Sequence, residues 1–196
     1  RVMASIQSVA KEMKLSNSKK APRIVVEWSF TKGLNILTEG KTVDGLRDPK
    51  EYTDPNSAMS FVASFDQTGE HAPVLFVFKD LHRIMAQDLM TVRYLRDIFA
   101  NFETRKHNVI MLSPELNIPS DIEKQVAVID WALPGVPELE GILRQAETEL
   151  DADLIALNGS RDMVVQAMRG LTDGEAANAL KAGIIASGKL DDSVVQ

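Results

Sequence analysis

The sequence predicts an α/β fold: a parallel sheet core flanked by helices, followed by a small helical lid subdomain. Three observations predict it. Apolar runs of strand length alternate with helical stretches from Arg23 to Trp131, the order that produces a parallel sheet covered on both sides. The strongest run, Pro73 to Asp80, is continuously apolar, as expected for a strand buried on both faces. After Leu133-Pro134-Gly135 the strand signal stops and three helical stretches follow. The predicted boundary lies at Pro134, with residues 1–134 as the core and 135–196 as the lid.

Each element has its own pattern. Val2, Ile6, Val9, Met13 and Leu15 recur three or four apart, one apolar stripe of an opening helix. Polar Ser16 to Lys20 ends it, and Pro22 precedes the strand Arg23 to Ser29. Residues 30–56 are rich in Gly, Asp, Lys and Pro and read as loops, with a hairpin turning at Glu39-Gly40. Asp54-Pro55-Asn56-Ser57 reads as a helix start, with Met59, Phe61, Val62 and Phe65 as its apolar side.

The strongest strand runs Pro73 to Asp80. A long helix from Asp88 to Lys106 comes next, with Met90, Val92, Leu95, Ile98, Phe99 and Phe102 as its stripe. Asn108 to Pro114 is another buried strand. Ser120 can cap a short helix before a strand from Gln125 to Trp131, so that Trp28 and Trp131 both fall in strands and read as core. In the lid, helices are predicted over Pro137 to Leu150, Ser160 to Leu171 and Thr172 to Ala186. The last opens on Thr172-Asp173-Gly174-Glu175, a capping box.

The bulk properties narrow the function. The chain has 196 residues, enough for one domain or a core with a small attachment. A formal charge of -6 weighs against nucleic-acid binding through a broad basic surface, though not against a local basic patch. Without cysteine there is no disulfide framework, thiol nucleophile or thiolate metal site. No apolar run approaches the ~20 residues that span a bilayer, and the first residues lack a signal-peptide core. The expectation is a soluble cytoplasmic protein with no membrane partner. Since the chain begins with Arg1, a piece of a longer protein is also expected.

An α/β core followed by a helical lid is the plan of a P-loop ATPase motor, and the phosphate site is its test. The pattern G-x-x-x-x-G-K-[ST] wraps phosphates in backbone N–H groups, neutralises them with Lys and holds magnesium with the hydroxyl. Gly40-Lys41-Thr42 supplies the second half, but the first glycine falls at Asn35, and Gly45 and Pro49 make a poor helix of the segment after Thr42. Without that helix the positive end that binds phosphate is missing, so a surface turn is the plainer reading.

Asp80 ends a strand as a magnesium-supporting Asp would, yet Leu81 stands where a catalytic Glu is expected; His82 comes next. Loop capping is the alternative for Asp80. Ser113 ends the next strand where a γ-phosphate-sensing residue belongs, although Ser before Pro is also turn chemistry. Lys124 stands where an arginine finger is expected, and Arg169 lies one turn ahead of an acidic lid-helix start.

Other chemistry finds less support. His71, His82 and His107 lack paired metal-ligand spacing, so no metal site is expected. A phospho-acceptor domain would need an acidic pair after the first strand and a late Lys, and neither is seen.

Several segments resemble one family in their order and spacing. Trp28-Ser29-Phe30-Thr31-Lys32-Gly33-Leu34, Phe76 to Arg83, Val109 to Pro114, Ile129 to Pro134 and Gly170 to Leu180 are similar to the N-terminal half of the hypothetical-chloroplast-frame AAA+ ATPases. These occur in plastids and cyanobacteria, with relatives in other bacteria and in viruses. The resemblance covers most of residues 22–186. It implies a degenerate AAA+ module followed by a complete one, and therefore partners in that second module or in other subunits of a homo-oligomer. The loop from Asn35 to Tyr52 matches no part of the family pattern.

Three readings result. The first is a non-hydrolysing module with no catalytic residue and no required cofactor, acting in assembly, regulation or partner binding. The second is an active ATPase that binds ATP and magnesium through Gly40, Lys41, Thr42, Asp80 and Ser113. The third is an unrelated α/β interaction domain.

Overall fold

A computed structural model describes residues 2–12, 23–65, 73–101, 107–157 and 159–191. It divides into two compact units, Val2–Val128 and a second beginning at Ile129. The charge divides with them. Residues 129–196 hold 12 acidic and 5 basic side chains, a net of -7, which leaves +1 for residues 1–128.

The first unit is built on a four-stranded mixed sheet in the order β2-β1-β3-β4. Strands β1 (Ile24–Ser29), β3 (Val74–Lys79) and β4 (His107–Leu112) are parallel, and β2 (Gly33–Ile36) runs antiparallel to β1. The pleat sends alternate side chains to opposite faces. Val26, Trp28, Phe76 and Phe78 face one core with Ala58, Met59 and Val62 of α2 (Pro55–Ser64) and Val92, Leu95 and Ile98 of α4 (Leu89–Ala100). Val25, Leu75 and Val77 face the other, where α1 (Val2–Glu12) supplies Met3, Ile6 and Ala10. A short helix α3 (His82–Met85) joins β3 to α4.

Several expectations are corrected. The hairpin turns at Phe30–Lys32, because β2 starts at Gly33 paired with Ser29; the loop reading of residues 30–56 missed this short strand. Residues 125–131 form no strand. They have β-branched composition, but among the described residues no ladder accepts them, and Val128, Ile129 and Trp131 are exposed. Trp131 is thus not core, whereas Trp28 is fully buried. The stripe of α1 is rotated: Val9 is exposed, and Ala10 is the buried residue of its last turns. Met90 is exposed and Thr91 buried in α4. The helix expected after Ser120 is only a 3-10 turn, Glu123–Gln125, behind buried Ile122. Met13, Leu15 and Phe102 lie outside the described residues.

The second unit packs α5 (Val136–Thr148), α6 (Arg161–Ala167) and α7 (Asp173–Ser187) around Leu139, Leu143, Val164, Met168 and Leu180. An ion pair of Arg161 with Glu147 ties α6 to α5. The capping box of α7 is formed in both directions: the Thr172 hydroxyl accepts from Glu175 N (3.3 Å), and Thr172 N donates to Glu175 Oε2 (2.8 Å). Gly188, at φ +72°, ends the helix in the left-handed conformation that glycine takes at no steric cost. Among the described residues no helix is long and apolar enough to cross a membrane.

Candidate functional site

In open α/β sheets, ligands bind beyond the carboxyl ends of the parallel strands. Here that rim carries the β1–β2 hairpin, Asp80 to Asp88, and Ser113. Asp80 and Ser113 are brought together, since Lys79 pairs with Leu112 and Asp80 N donates to Leu112 O (2.9 Å). Asp80 is exposed and adopts φ +58°, a left-handed conformation that Asp tolerates better than most residues. The preceding Lys79 pairs with Glu27 of β1 at 2.8 Å. Ser113 is occupied locally: its Oγ donates to Glu115 O and accepts from Glu115 N (3.1 Å).

Gly40, Lys41 and Thr42 lie at the opposite rim. Strand β2 returns the chain to the start of β1, where Leu37 N donates to Val25 O (2.8 Å) and the Thr38 hydroxyl accepts from Val25 N (2.9 Å). Lys41 N turns back to Thr38 O. The whole length of β1, roughly 17 Å at ~3.3 Å per residue, separates this turn from Asp80 and Ser113. Gly40 has φ +65°, and Gly40, Lys41 and Thr42 are all exposed. No helix begins after Thr42; the next regular element is the 3-10 turn Pro49–Tyr52. Asn35, at the place of the first P-loop glycine, is a β2 residue paired with Glu27.

The first long helix after the hairpin is α2, which begins at the carboxyl rim. Its place is fixed by contacts there: Trp28 Nε1 donates to Tyr52 O (2.6 Å), and an added Cβ on Gly33 would lie 1.7 Å from Pro49 O. The free N–H groups at such a helix start are a ready anion site. In α2 the Asp54 carboxylate already takes Ser57 N (2.8 Å) and Ser57 Oγ (3.1 Å), and Pro55 brings no N–H.

Helix α4 starts on the same rim, and its cap is linked to α2. Asp88 accepts from Met90 N (3.0 Å), Thr91 Oγ1 (2.8 Å) and Asn56 Nδ2 (2.9 Å). The Thr91 hydroxyl bond chiefly holds the Asp88 carboxyl below its ordinary value; burial opposes this, and Asn56 and the Met90 and Thr91 amides assist. Asp54 and Asp88 were legible as helix starts. The link from Asp88 to Asn56 was not, because nothing local pairs residues 32 apart.

The remaining candidates are scattered. His82 is buried after Asp80, while His107 is buried at the start of β4, on the opposite rim, against the rings of Phe65 and Phe76. His71 lies outside the described residues, and among those described no group of three His, Asp or Glu could hold a metal ion. Lys124 is exposed in its 3-10 turn, and Arg169 in the second unit donates to Gln166 Oε1 (3.2 Å).

Among the described residues the strand order offers no alternative crevice. Ligand crevices form where successive crossovers leave to opposite sides. Here β1, β3 and β4 succeed one another in one direction, and α2 and α4 cover the same face. Of the five sequence-predicted nucleotide contacts, Gly40, Lys41 and Thr42 stand on one rim and Asp80 and Ser113 on the other, and the starts of α2 and α4 are capped by Asp54 and Asp88.

A mostly parallel sheet with helices on both faces is the architecture of an AAA-type N-terminal α/β module. The chain belongs to the SpoVK-like AAA ATPase N-terminal domain family, whose profile matches residues 1–131. No curated protein matches the chain.

Proposed function

We propose that this chain is a non-hydrolysing N-terminal module of a larger AAA+ ATPase, acting in assembly, regulation or partner binding. The segments from Trp28 to Leu34 and Phe76 to Arg83 favour a parent of the hypothetical-chloroplast-frame type. Its partners are then an active module after it in the chain or further subunits of a cytoplasmic homo-oligomer.

One observation carries the non-hydrolysing reading: the Asp54 carboxylate sits on the first turn of α2, where a phosphate would need free N–H groups. A phosphate there would displace a formed cap and face a like charge. The Lys41 turn, which would have to neutralise that charge, lies beside the other end of β1.

Thermal melting in a titration of ATP with magnesium tests this. A ligand at 100 times its Kd stabilises by about 2.7 kcal/mol. The expected result is no saturable rise in melting temperature up to millimolar nucleotide, with wild type and Lys41→Ala alike. A saturable rise lost in Lys41→Ala would restore the ATP-binding reading.

A further inference from the structure

The connection from β3 to α4 buries a polar ring that no group of the protein answers. His82 is 4% exposed, and both its ring nitrogens are enclosed without a hydrogen-bond partner. Buried polar side chains are nearly always paired, because an unpaired one has lost its water and gained nothing. The neighbours explain why the ring is held inside. Leu81 before it and Met85 at the end of α3 are buried in the core with Phe76, Phe78 and Leu95.

The backbone that carries the ring is weakly secured. Asp80 enters it at φ +58°, a conformation that few residues other than glycine adopt. Helix α3 has four residues, and its N-cap Leu81 offers no side-chain cap. Its closure is written in four amides: Ile84 N and Met85 N donate to Leu81 O (3.0 and 3.1 Å), and Gln87 N and Asp88 N donate to Ile84 O (both 2.9 Å).

The charged groups of the surrounding elements are engaged elsewhere or exposed. Apart from His107, β4 and α2 carry no titratable side chain. Lys79 of β3 pairs with Glu27 of β1. In α4, Arg93 pairs with Asp97, Arg96 lies 3.9 Å from Asp121, and the Asp88 cap accepts from Met90, Thr91 and Asn56. Asp80 and Arg83 are exposed. None of these groups bonds to either ring nitrogen. A proton taken up in place would therefore leave an unanswered cation in an apolar core, whereas imidazole in water takes that proton at about pH 6.5.

We infer that His82 makes residues 80–88 an acid-released latch, in which proton uptake favours a conformation with the ring out of the core. The neutral ring belongs to the closed form, so closure is fullest above the aqueous range of imidazole and is lost below it. The exposed carboxylate of Asp80, two residues away, is placed to pair with the emerging ring. The segment ends on Asp88, whose carboxylate joins the start of α4 to Asn56 of α2, so release bears on both helices of that face. The latch does not depend on the non-hydrolysing reading.

Hydrogen exchange of the Ile84, Met85, Gln87 and Asp88 amides, corrected for the intrinsic pH dependence of exchange, reads the opening. With the proton taken up only by the open form, opening should rise about tenfold from pH 7.5 to 5.5. These amides should also exchange at least tenfold faster than those of β3 at both values, as local opening requires. His82→Gln keeps a polar side chain that does not titrate and should abolish the rise. His82→Leu removes both unanswered nitrogens and should open less than wild type at pH 7.5, again without pH dependence. Three results would overturn the inference: a wild-type opening that changes less than twofold, segment amides no faster than those of β3, or a tenfold rise that persists in His82→Gln or His82→Leu.

Discussion

Gly33 is the position where backbone geometry leaves one amino acid. It has φ +68°, and a Cβ there would stand 1.7 Å from Pro49 O, 2.7 Å from Pro49 C and 3.2 Å from Tyr52 C. Gly33→Ala therefore has two costs. The left-handed conformation disfavours an L side chain by roughly 1–2 kcal/mol. The Pro49–Tyr52 turn must also retreat by more than 1 Å, and it holds the Tyr52 carbonyl that accepts from the indole of fully buried Trp28 at 2.6 Å. Leaving that donor unpaired costs a further ~1–3 kcal/mol.

The total is on the order of 2–5 kcal/mol. Gly40→Ala is the matched control, with φ +65° but nothing within 4 Å of the added Cβ, so it bears the conformational cost alone. Urea unfolding followed by tryptophan fluorescence should place Gly33→Ala about 1–3 kcal/mol below Gly40→Ala. In a thermal melt the gap should be several degrees, at roughly 2–4 °C per kcal/mol for a chain of this size. Equal destabilisation of the two variants within about 0.5 kcal/mol would refute the steric reasoning and the role given to the Trp28–Tyr52 bond.

Gly141 lies in the exposed middle of α5 with nothing within 4 Å of an added Cβ. Gly141→Ala should raise stability by about 0.5–1 kcal/mol through helix propensity, read as a higher melting temperature. Asp88→Ala removes the cap of α4 and the carboxylate that accepts from Asn56 Nδ2 and Thr91 Oγ1, leaving those two side chains only their weaker mutual contact at 3.4 Å, at a cost of about 1–3 kcal/mol at neutral pH. Because the folded-state pKa of Asp88 is lowered, its contribution is present above the ordinary carboxylate value and is lost as pH falls through the lower folded one. The gap between wild type and Asp88→Ala should therefore be full at pH 7 and shrink below about pH 4; a pH-independent gap would show that the ionised carboxylate is not what stabilises.

The patterns readable in the sequence were those whose cause is local. The run Val74–Lys79 is apolar because both its faces are covered, and Asp54-Pro55 and Thr172-x-x-Glu175 cap helices through bonds three residues long. Strand pairing is not local, and there the reading failed in both directions. Gly33–Ile36 is a strand because Ser29, Trp28, Glu27 and Val26 are opposite it, not because of its own composition. Residues 125–131 have the composition, but among the described residues no strand ladder includes them, so apolarity alone suggested a strand and placed exposed Trp131 in the core.

The same distinction bears on the candidate site. Gly40-Lys41-Thr42 looks like half a phosphate loop only along the sequence. Its chemistry depends on the turn standing at the carboxyl end of β1, and the β1–β2 hairpin carries it to the amino end. That hairpin is built by the segment that carries the family resemblance: Trp28 anchors Tyr52, and Gly33 lets Pro49 approach. The segment from Trp28 to Leu34 thus positions the start of α2 against the sheet, and Asp54, two residues beyond Tyr52, caps that helix through Ser57 N.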